Sequence, residues 1–511
     1  MYYFACLNVP EHITGVDRAY LSRLNLFKSN NIPAKIITIE YNHMAYDTLV
    51  KYGVEYDTIN MYDYFQNAVN LKPSKPFNIQ RYWEESLNYK LEVVSHQLDI
   101  IIKNQDNQFI QYARFTSTER KKLDFVNHIS DNGTIVKHEQ YDHRGFLSSV
   151  QYYGPHEKCY LHQFYNVQGD IILEKYYQIE NQHLPIMILL HKSNGSTVRF
   201  KNEDELISYF IESIYSAGDI FIIDRPYEYI KPFANTHPYI TAAVFMHTTH
   251  LADEYSEGRM FKWPFNFLGD HLNRFKALIC STEAQCNDLS YDQFTGQAFN
   301  IPVGFIEDNQ LMTTNQFNHK NKFKIISVAR YISSKQLDHQ IRLVHRLKKE
   351  FPLVSLDIYG FGGLGGVEEE LKQLINDLNA NDYIHLKGYS NNLNSAYQNS
   401  GLFLLTSKEE GFALVLLESY RHNTPVISYD IKYGPNEIIK DNVNGNLVPL
   451  NDEEQLYKVV HNFLSDDSVS NRYYENCILT QKKYSASQNF DHWMKLIQYL
   501  EHKEKHDDIN N

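Results

Sequence analysis

The stretch from Leu402 to Asp430 constrains the fold of this chain more than any other. Leu402 to Leu405 is a short apolar run that is typical of a buried parallel strand, and polar and glycine residues end it. A helical pattern then covers Ala413 to about Arg421, and Val426 to Tyr429 predicts the next strand. This is a β-α-β unit. In open parallel sheets ligands bind at the carboxyl ends of strands, so we expect the loop that holds Glu410 to face a ligand.

Two glutamates are separated by seven residues in this unit, Glu410 in the loop and Glu418 on the helix. Eight helical steps span at most roughly 12 Å, whereas a glycosidase pair needs about 5 to 9.5 Å across one bond. The amino end of the helix between them offers unpaired N–H groups and a positive dipole to an anion. The pattern therefore predicts a nucleotide-sugar site. The alternative is two solvated glutamates beside an ordinary helix.

A pair of permanent cations precedes this unit. Phe323 to Ala329 predicts a strand, Gln336 to Glu350 predicts a helix, and Arg330 and Lys335 lie between them. Two cations at a strand end can bind a diphosphate and neutralise the charge that grows on it. On its own this spacing is also compatible with a simple surface pair.

Glycines after the following strand, Gly360, Gly362 and Gly365, satisfy the G-x-G-x-x-G pattern, with Asp382 twenty residues after Gly362. Taken literally, this pattern indicates NAD binding by a dehydrogenase. However, the first strand-to-helix turn of this part already carries the cation pair. We therefore expect the glycines to shape a loop near the nucleoside.

The first sixty residues resemble the opening of a second nucleotide-binding fold, with Gly15 at a loop-to-helix junction where a glycine permits close approach to a ligand. A later strand, Ala242 to Met246, leads into His247 and His250. These histidines, with Asp253 and Glu254, suggest a metal site, but no third ligand at helical spacing supports zinc. We expect His247 instead to contact a sugar.

Between residues 73 and 206 the alternating helix and strand pattern stops, and aromatic alternating runs such as Phe109 to Phe115 predict antiparallel strands. Asn166 to Asp170 predicts a hairpin turn. We expect a β-rich insertion that recognises an acceptor or mediates homo-oligomerisation, with a purely structural flap as the alternative. The basic cluster from Arg120 to Lys122 predicts a local groove for an anionic polymer, although charge runs are usually solvated.

The length of 511 residues predicts two or three domains, and a hydrophobic content of 43% excludes a disordered chain. A net charge of −13 argues against general nucleic-acid binding. The five cysteines have no CxxC spacing, so neither a disulfide framework nor a zinc ribbon is indicated. No apolar run is long enough to span a bilayer. We expect a cytoplasmic enzyme, or one peripheral to the inner face of the membrane.

Together, these motifs resemble those of retaining GT-B glycosyltransferases of the family 4 type. The features that carry the resemblance, in the order of that family, are Gly15, His247, Arg330 with Lys335, and Glu410 with Glu418. The run SYDIKYGPNEII and the β-rich insertion are similar to a bacterial subgroup. That subgroup contains glycosyltransferases of serine-aspartate-repeat adhesins, of accessory-secretion adhesins, and teichoic-acid α-glycosyltransferases.

The resemblance implies an α/β GT-B fold, in which two Rossmann-like domains face a cleft and a C-terminal helix crosses back. The predicted parts are an acceptor-side domain at 1–72 and 207–305, the insertion at 73–206, a nucleotide-sugar domain at 306–485, and the crossover helix and tail at 486–511. These boundaries combine the resemblance with the sequence patterns described above.

The resemblance further implies transfer of N-acetylglucosamine from UDP-GlcNAc to serine hydroxyls of Ser-Asp repeats, with retention and without a metal or other cofactor. The implied catalytic residues are His247, Arg330, Lys335 and Glu410. The implied substrate-binding residues are Gly15, Arg330, Lys335, Glu410, Gly411, Phe412, Ala413, Leu414 and Glu418. The alternatives are a poly(polyol-phosphate) wall teichoic acid α-glycosyltransferase and a non-catalytic partner subunit.

Overall fold

The computed structural model describes residues 1–75, 77–94, 98–178, 184–250, 261–289, 294–311, 320–362 and 365–509. The chain divides into two compact units. Unit 1 comprises Met1–Ile13 and Asn31–Ala242, and unit 2 comprises Thr14–Asn30 and Ala243–Asn511. Within the described ranges, no helix is both long and apolar enough to cross a membrane.

The strands of both units are numbered in chain order. They are β1 Tyr2–Cys6, β2 Ala34–Thr38, β3 Thr58–Asn60, β4 Lys90–Val93, β5 Asp99–Lys103, β6 Phe109–Phe115, β7 Leu123–Ile129, β8 Ile135–Asp142, β9 Phe146–Tyr153, β10 Cys159–Tyr165, β11 Ile171–Tyr177, β12 Pro185–His191, β13 Thr197–Phe200, β14 Ile220–Ile223, β15 Thr241–Met246, β16 Ala277–Cys280, β17 Gln297–Asn300, β18 Asn321–Val328, β19 Ser355–Tyr359, β20 Ile384–Gly388, β21 Ser400–Leu405, β22 Val426–Asp430 and β23 Gly445–Pro449.

The α-helices are numbered in the same way. They are α1 Gly15–Ser29, α2 Ala45–Tyr52, α3 Met61–Phe65, α4 Ile79–Arg81, α5 Glu203–Ile214, α6 Pro226–Asn235, α7 Leu268–His271, α8 Glu283–Asp288, α9 Leu337–Leu347, α10 Val367–Asp377, α11 Asn394–Asn399, α12 Leu414–Arg421, α13 Pro435–Ile438, α14 Glu453–Ser465, α15 Asp467–Lys483 and α16 Ala486–Ile509.

Unit 1 combines parallel and antiparallel pairing. Its parallel strands follow the order β14-β1-β2-β3, and their apolar runs are buried on both faces, as expected for parallel sheets. The strands from β4 to β13 form a ten-stranded antiparallel sheet in sequence order. The predicted strand at Phe109–Phe115 and the predicted turn at Asn166 to Asp170 are confirmed, with the amide of Asn166 donating to the carbonyl of Asp170 at 2.9 Å.

Unit 2 holds a six-stranded parallel sheet of order β20-β19-β18-β21-β22-β23. The chain moves outward from β18 in one direction and then returns to place β21 on its other side. The carboxyl ends of β18 and β21 therefore form a topological switch point, where open α/β sheets bind ligands. The β-α-β unit predicted from Leu402 to Asp430 is confirmed as β21, α12 and β22.

Two apolar clusters cover the faces of this sheet. One packs α9, α10 and α14 against it, with Ile341, Leu371 and Val460 buried. The other packs α12 and α15 against it through Leu416 and Cys477. This burial of both faces explains why the strands are apolar runs rather than alternating patterns.

The terminal helix predicted to begin at residue 486 is present as α16. The ring of Trp493 packs edge-on against Phe27 of α1, with centroids 5.4 Å apart, and lies 6.2 Å from the ring of Phe245 in β15. The guanidinium of Arg23 lies over the rings of Phe245 and Trp493, at 5.5 and 5.2 Å from their centroids. Helix α16 thereby joins α1 to β15 within unit 2.

Candidate active site

Lys335 and Glu410 meet at the switch point of the six-stranded sheet. Lys335 follows β18 and Glu410 follows β21, and the Nζ atom lies 2.6 Å from Oε1 of the glutamate. Both side chains are mostly buried, with exposed fractions of 15% and 16%. The structure thus brings together two of the residues that the sequence predicted for one site.

Hydrogen bonds join the loop that follows β18 to the loop that follows β21. The hydroxyl of Thr406 directs its one proton at the backbone carbonyl oxygens of Lys335 and Gln336, which lie 3.0 and 2.9 Å away. The amide of Lys408 donates to the carbonyl of Ser334 at 2.8 Å. Glu410 also accepts a 2.7 Å bond from the Ser407 hydroxyl. The ion pair is therefore fixed by backbone contacts and does not depend on two flexible side chains alone.

Arg330 lies close to Lys335 along the chain, but it is exposed to solvent. It follows β18, its side chain is exposed, and it forms no ion pair with any residue in the described ranges. Gly360 supports its backbone, because a Cβ at Gly360 would lie 1.8 Å from the carbonyl oxygen of Ala329. The glycine loop after β19 thus packs against the Arg330 segment, as the interpretation of a shaping loop requires.

The amino end of α12 follows Glu410 directly. Ala413 precedes the helix with φ 67° and ψ 70°, a left-handed conformation that is costly for a residue with a Cβ. Among the described residues, none accepts a hydrogen bond from the amides of residues 412–415. N–H groups and a helix dipole in this arrangement are suited to an anion.

Gly411 is needed where it stands. A Cβ at this position would lie 2.2 Å from the carbonyl oxygen of His247 and 2.9 Å from Cα of Thr248. The loop after β21 therefore packs directly on the backbone that follows β15. The half-buried imidazole of His247 stacks on Phe245, with ring centroids 4.4 Å apart and planes 4° apart.

The same two segments are joined by side chains. Glu409 pairs with Lys262 and accepts a 3.1 Å hydrogen bond from the hydroxyl of Thr249. Neither partner was predicted from the sequence, because both belong to a segment without periodic pattern. Asp253 and Glu254, which were considered with His247 and His250 as metal ligands, lie outside the described residues.

Glu418 is engaged at both carboxylate oxygens. Oε1 pairs with Arg18 of α1, and Oε2 accepts a 3.1 Å bond from the buried hydroxyl of Tyr397. Burial and the Glu418 charge hold the pKa of Tyr397 well above its usual value, so this hydroxyl remains a donor. Arg18 and Tyr397 were missed from the sequence because they lie far from Glu418 along the chain and match no motif.

Gly15 is the first residue of α1. The preceding Thr14 donates from its amide and its hydroxyl to the Asp17 carboxylate at 2.8 and 2.7 Å, which fixes the start of the helix. A Cβ at Gly15 would lie 3.6 Å from Leu414, an ordinary contact. On the other side Leu414 presses against Gly304, where a Cβ would come within 2.1 Å. A side chain at Gly304 would therefore require Leu414 to move, whereas a Cβ at Gly15 would be accommodated by the described residues without any shift.

His250 supports the site from within the fold. Its ring is fully buried, stacks at 13° and 6.1 Å on Tyr433, and neither ring nitrogen has a hydrogen-bond partner among the described residues. Burial lowers the pKa of His250 to about 4, against an opposing effect of Asp288. Tyr433 in turn donates its amide to the carbonyl of Glu410 at 2.7 Å. His250 is thus a neutral packing group beneath the Glu410 loop.

Lys335, Glu410 and the amides that begin α12 thus lie together at the switch point of the six-stranded sheet. Residues 311–479 match the family model described as "Glycosyl transferases group 1". The chain therefore contains a group 1 glycosyltransferase domain.

The relatives named below match this chain over 62% to 96% of its length. The chain is 24% identical to a poly(glycerol-phosphate) alpha-glucosyltransferase of Bacillus subtilis, and the alignment covers 96% of this chain and 74% of that protein. It is 25% identical to a poly(ribitol-phosphate) alpha-N-acetylglucosaminyltransferase of Staphylococcus aureus, with 94% of this chain and 96% of that protein covered. A Streptococcus agalactiae GtfA subunit, named as a UDP-N-acetylglucosamine–peptide N-acetylglucosaminyltransferase, is 28% identical over 62% of this chain and 61% of its own length.

Solved structures establish the fold. The pneumococcal O-GlcNAc transferase GtfA, in complex with UDP and GlcNAc, has a TM-score of 0.83 at 19% identity, and the alignment covers 98% of both chains. S. aureus TarM gives a TM-score of 0.81 at 21% identity, covering 97% of this chain and 98% of that one. The glycosyltransferase therefore has the predicted α/β GT-B fold, with parallel sheets and a separate antiparallel sheet.

Proposed function

We propose that this glycosyltransferase transfers N-acetylglucosamine from UDP-GlcNAc to serine hydroxyls of Ser-Asp repeat proteins. The observation that carries the proposal is the Lys335–Glu410 ion pair at the switch point, next to the open amino end of α12. A cation, an acid and a row of free amides match the diphosphate and the hydroxyls of a nucleotide sugar. The peptide N-acetylglucosaminyltransferase relatives support this donor and a protein acceptor.

Each side chain has a role in this proposal. Arg330 and Lys335, together with the amides that begin α12, stabilise the charge on the departing UDP. Glu410 binds hydroxyls of the donor sugar. Lys335 leaves its ion pair with Glu410 and pairs with the diphosphate.

Three further residues contact other parts of the donor. Glu418, oriented by Arg18 and Tyr397, binds the ribose hydroxyls. His247 contacts the sugar, and Gly15 lets the α1 loop approach the phosphates without a side chain in between.

In the proposed reaction the bond between the anomeric carbon and the phosphate oxygen breaks, and a bond to the serine oxygen forms on the same face of the sugar. The departing phosphate oxygen takes the serine proton. No metal is required in this scheme, because Arg330, Lys335 and the helix amides supply the positive charge that the leaving group needs. Retention follows from attack on the face that the phosphate leaves.

A second candidate is the transfer of a sugar to a polyol-phosphate polymer of the cell wall. It is favoured by the S. aureus poly(ribitol-phosphate) relative, which matches 94% of this chain and 96% of its own length. Both acceptors are polyanions that carry hydroxyl groups, so the donor site alone does not separate them. The antiparallel sheet of unit 1, whose β6–β7 connection carries Arg120 to Lys122, is the proposed site of acceptor recognition or self-association.

The test offers both acceptors to one enzyme preparation. Purified protein is incubated with UDP-GlcNAc or UDP-glucose and with a Ser-Asp repeat polypeptide, poly(ribitol phosphate) or poly(glycerol phosphate). We expect mass additions of N-acetylhexosamine on serine with UDP-GlcNAc only. Transfer confined to a polymer would overturn the protein acceptor and support the second candidate. Absence of transfer to all three would overturn both.

A matched pair of variants ties the activity to the site. Lys335→Ala removes the cation that pairs with Glu410 at the switch point, whereas Lys372→Ala removes an exposed cation of α10 that pairs with Glu368 one turn away. We expect activity to be lost in the first and retained in the second. Equal activity in both variants would contradict the proposed role of Lys335.

A further inference from the structure

Unit 1 contains a cluster of potential metal ligands outside the glycosyltransferase site. One ligand atom each from His43, Asp124 and His143 lies within 4.8 Å of the others. His43 precedes α2, Asp124 lies in β7, and His143 lies in the turn between β8 and β9. Three separate segments of unit 1 thus present two imidazoles and a carboxylate to one point.

His143 has the geometry of a ligand held ready. Its side chain is only 7% exposed, and Nδ1 lies 2.5 Å from a carboxylate oxygen of Asp47 in α2. Its other nitrogen, Nε2, is buried and has no hydrogen-bond partner among the described residues. A carboxylate that holds one imidazole nitrogen and leaves the second open is the usual arrangement behind histidine ligands of metals. A buried nitrogen without a partner is otherwise costly.

His43 supplies the second imidazole. Its Nε2 lies 2.7 Å from Asp124 Oδ1, and its Nδ1 is 3.4 Å from the amide nitrogen of Gln140. The rings of His43 and His143 are nearly perpendicular, with centroids 6.0 Å apart. Tetrahedral zinc with bonds of about 2.0–2.1 Å separates neighbouring ligand atoms by about 3.3 Å. Small side-chain rotations would therefore bring the three ligand atoms to this spacing. His43 and Asp124 would move apart, and His143 would move closer to them.

We propose that His43, Asp124 and His143 bind one divalent transition-metal ion of the zinc class, with water as the fourth ligand and Asp47 orienting His143. Two nitrogen donors and one oxygen donor suit Zn²⁺, whereas Ca²⁺ and Mg²⁺ require mostly oxygen ligands. The carboxylates of Asp47 and Asp124, in contact with His143 and His43, place negative charge at the cluster, and this charge favours a cation.

The ion would act as a structural clamp. The amide of His143 already donates to the carbonyl of His43 at 3.2 Å, and the hydroxyl of Tyr41 donates to that of Ser148 at 3.0 Å. These bonds join the β2–α2 connection to the antiparallel sheet, and coordination would lock the same junction. The sequence patterns did not predict this site, because its ligands are spread over a hundred residues and match no metal motif.

The proposal is tested on the full chain, purified without a histidine tag and stripped with a chelator. Zn²⁺ titration by calorimetry is expected to give one equivalent bound, and saturating Zn²⁺ is expected to raise Tm by a few degrees through selective binding to the folded state. Mg²⁺ is expected to do neither. Co²⁺ is expected to bind with the visible absorption of a tetrahedral site. Failure of the wild-type protein to bind Zn²⁺ overturns the proposal outright.

Variants locate the bound ion. His43→Gln and His143→Gln are expected to abolish the binding of Zn²⁺. Asp47→Asn keeps all three ligands and is expected to weaken Zn²⁺ affinity about 10- to 100-fold. The control is His191→Gln, which removes a histidine of the same antiparallel sheet that pairs with Glu174 at 3.0 Å. Zinc binding that survives in both ligand variants, or is lost equally in the control, assigns the ion elsewhere and overturns the site. If a ligand variant does not fold, Asp47→Asn still decides the outcome.

Discussion

Lys335 and Glu410 lie 75 residues apart in the chain, yet Nζ and Oε1 are 2.6 Å apart at the carboxyl ends of two neighbouring strands. The pair is mostly shielded from water, which strengthens its attraction. In the proposed mechanism, a phosphate that enters the site would compete with Glu410 for Lys335, and the freed carboxylate would become available to sugar hydroxyls. The ion pair holds both groups in place until then.

Loss of the Lys335 charge is expected to impair transfer strongly. Lys335→Ala should lower kcat/KM about 100- to 1,000-fold, the usual effect of removing one preorganised donor at a developing charge. Lys335→Arg should recover part of this loss. Initial rates with UDP-GlcNAc measure both, with Lys372→Ala as the control. A Lys335→Ala enzyme with normal kcat/KM would remove Lys335 from the mechanism.

Arg18 is expected to act through Glu418. Arg18→Ala leaves Glu418 with Tyr397 as its described partner, so donor binding should weaken by about 5- to 30-fold, corresponding to one or two kcal/mol. The effect should be in KM for the donor rather than in kcat. Combining Arg18→Ala with Glu418→Gln should add little to the stronger single effect, because the residues form one unit. Fully additive losses would show that they act independently.

Gly411→Ala is expected to destabilise the fold of unit 2. The added Cβ would lie 2.2 Å from the carbonyl oxygen of His247, and backbone atoms cannot move aside as a flexible side chain can. Overpacking of this kind costs about 1–3 kcal/mol. Thermal unfolding should give a lower Tm than for the wild type. An unchanged Tm would mean that the Glu410 loop does not rest on the His247 backbone.

Gly15→Ala should behave in the opposite way. The nearest protein atom to the added Cβ is 3.6 Å away, and alanine favours helices, so Tm should be equal to or slightly above that of the wild type. If the diphosphate approaches this position, donor KM should nevertheless rise. Unchanged KM together with an unchanged Tm would remove Gly15 from the proposed donor site.

His250 should make the protein sensitive to acid. Its pKa is about 4 in the folded state and about 6.5 in the unfolded chain. Between these values the unfolded chain binds more protons, so the free energy of unfolding falls as the pH falls from about 6.5 to 4, by at most about 1.4 kcal/mol per pH unit. His250→Phe, which keeps an aromatic ring against Tyr433, should flatten this part of the curve. Chemical denaturation across this pH range measures the slope, and equal slopes would contradict the assignment.

The sequence could predict that Lys335 and Glu410 lie in one site because parallel strands align their carboxyl ends. Once the strand before Lys335 and the strand before Glu410 belong to one sheet, the loops after them must lie on one edge. The apolar run from Leu402 to Leu405 and the stop after Arg421 carry that information locally. The domain boundaries and the individual roles of the site residues remain predictions.

The partners of Glu418 and Glu409 could not be predicted in the same way. Arg18 reaches Glu418 across 400 positions, and Lys262 belongs to a segment with no periodic pattern. Such contacts depend on how loops and helices pack, and neither helical nor strand periodicity encodes them. The cluster of His43, Asp124 and His143 is a similar case, since each ligand is an ordinary polar residue in its own stretch of sequence.

Helix α1 is encoded early in the chain but belongs to unit 2, and the residues on either side of it belong to unit 1. An expressed fragment that begins at Ala243 would therefore lack the helix that covers Leu414, pairs with Glu418 and packs on Trp493. Such a fragment would present apolar surface to water and would aggregate, although it contains every strand of the six-stranded sheet. Dissection of this enzyme into independent pieces requires α1 to be supplied with the C-terminal part, for example by circular permutation.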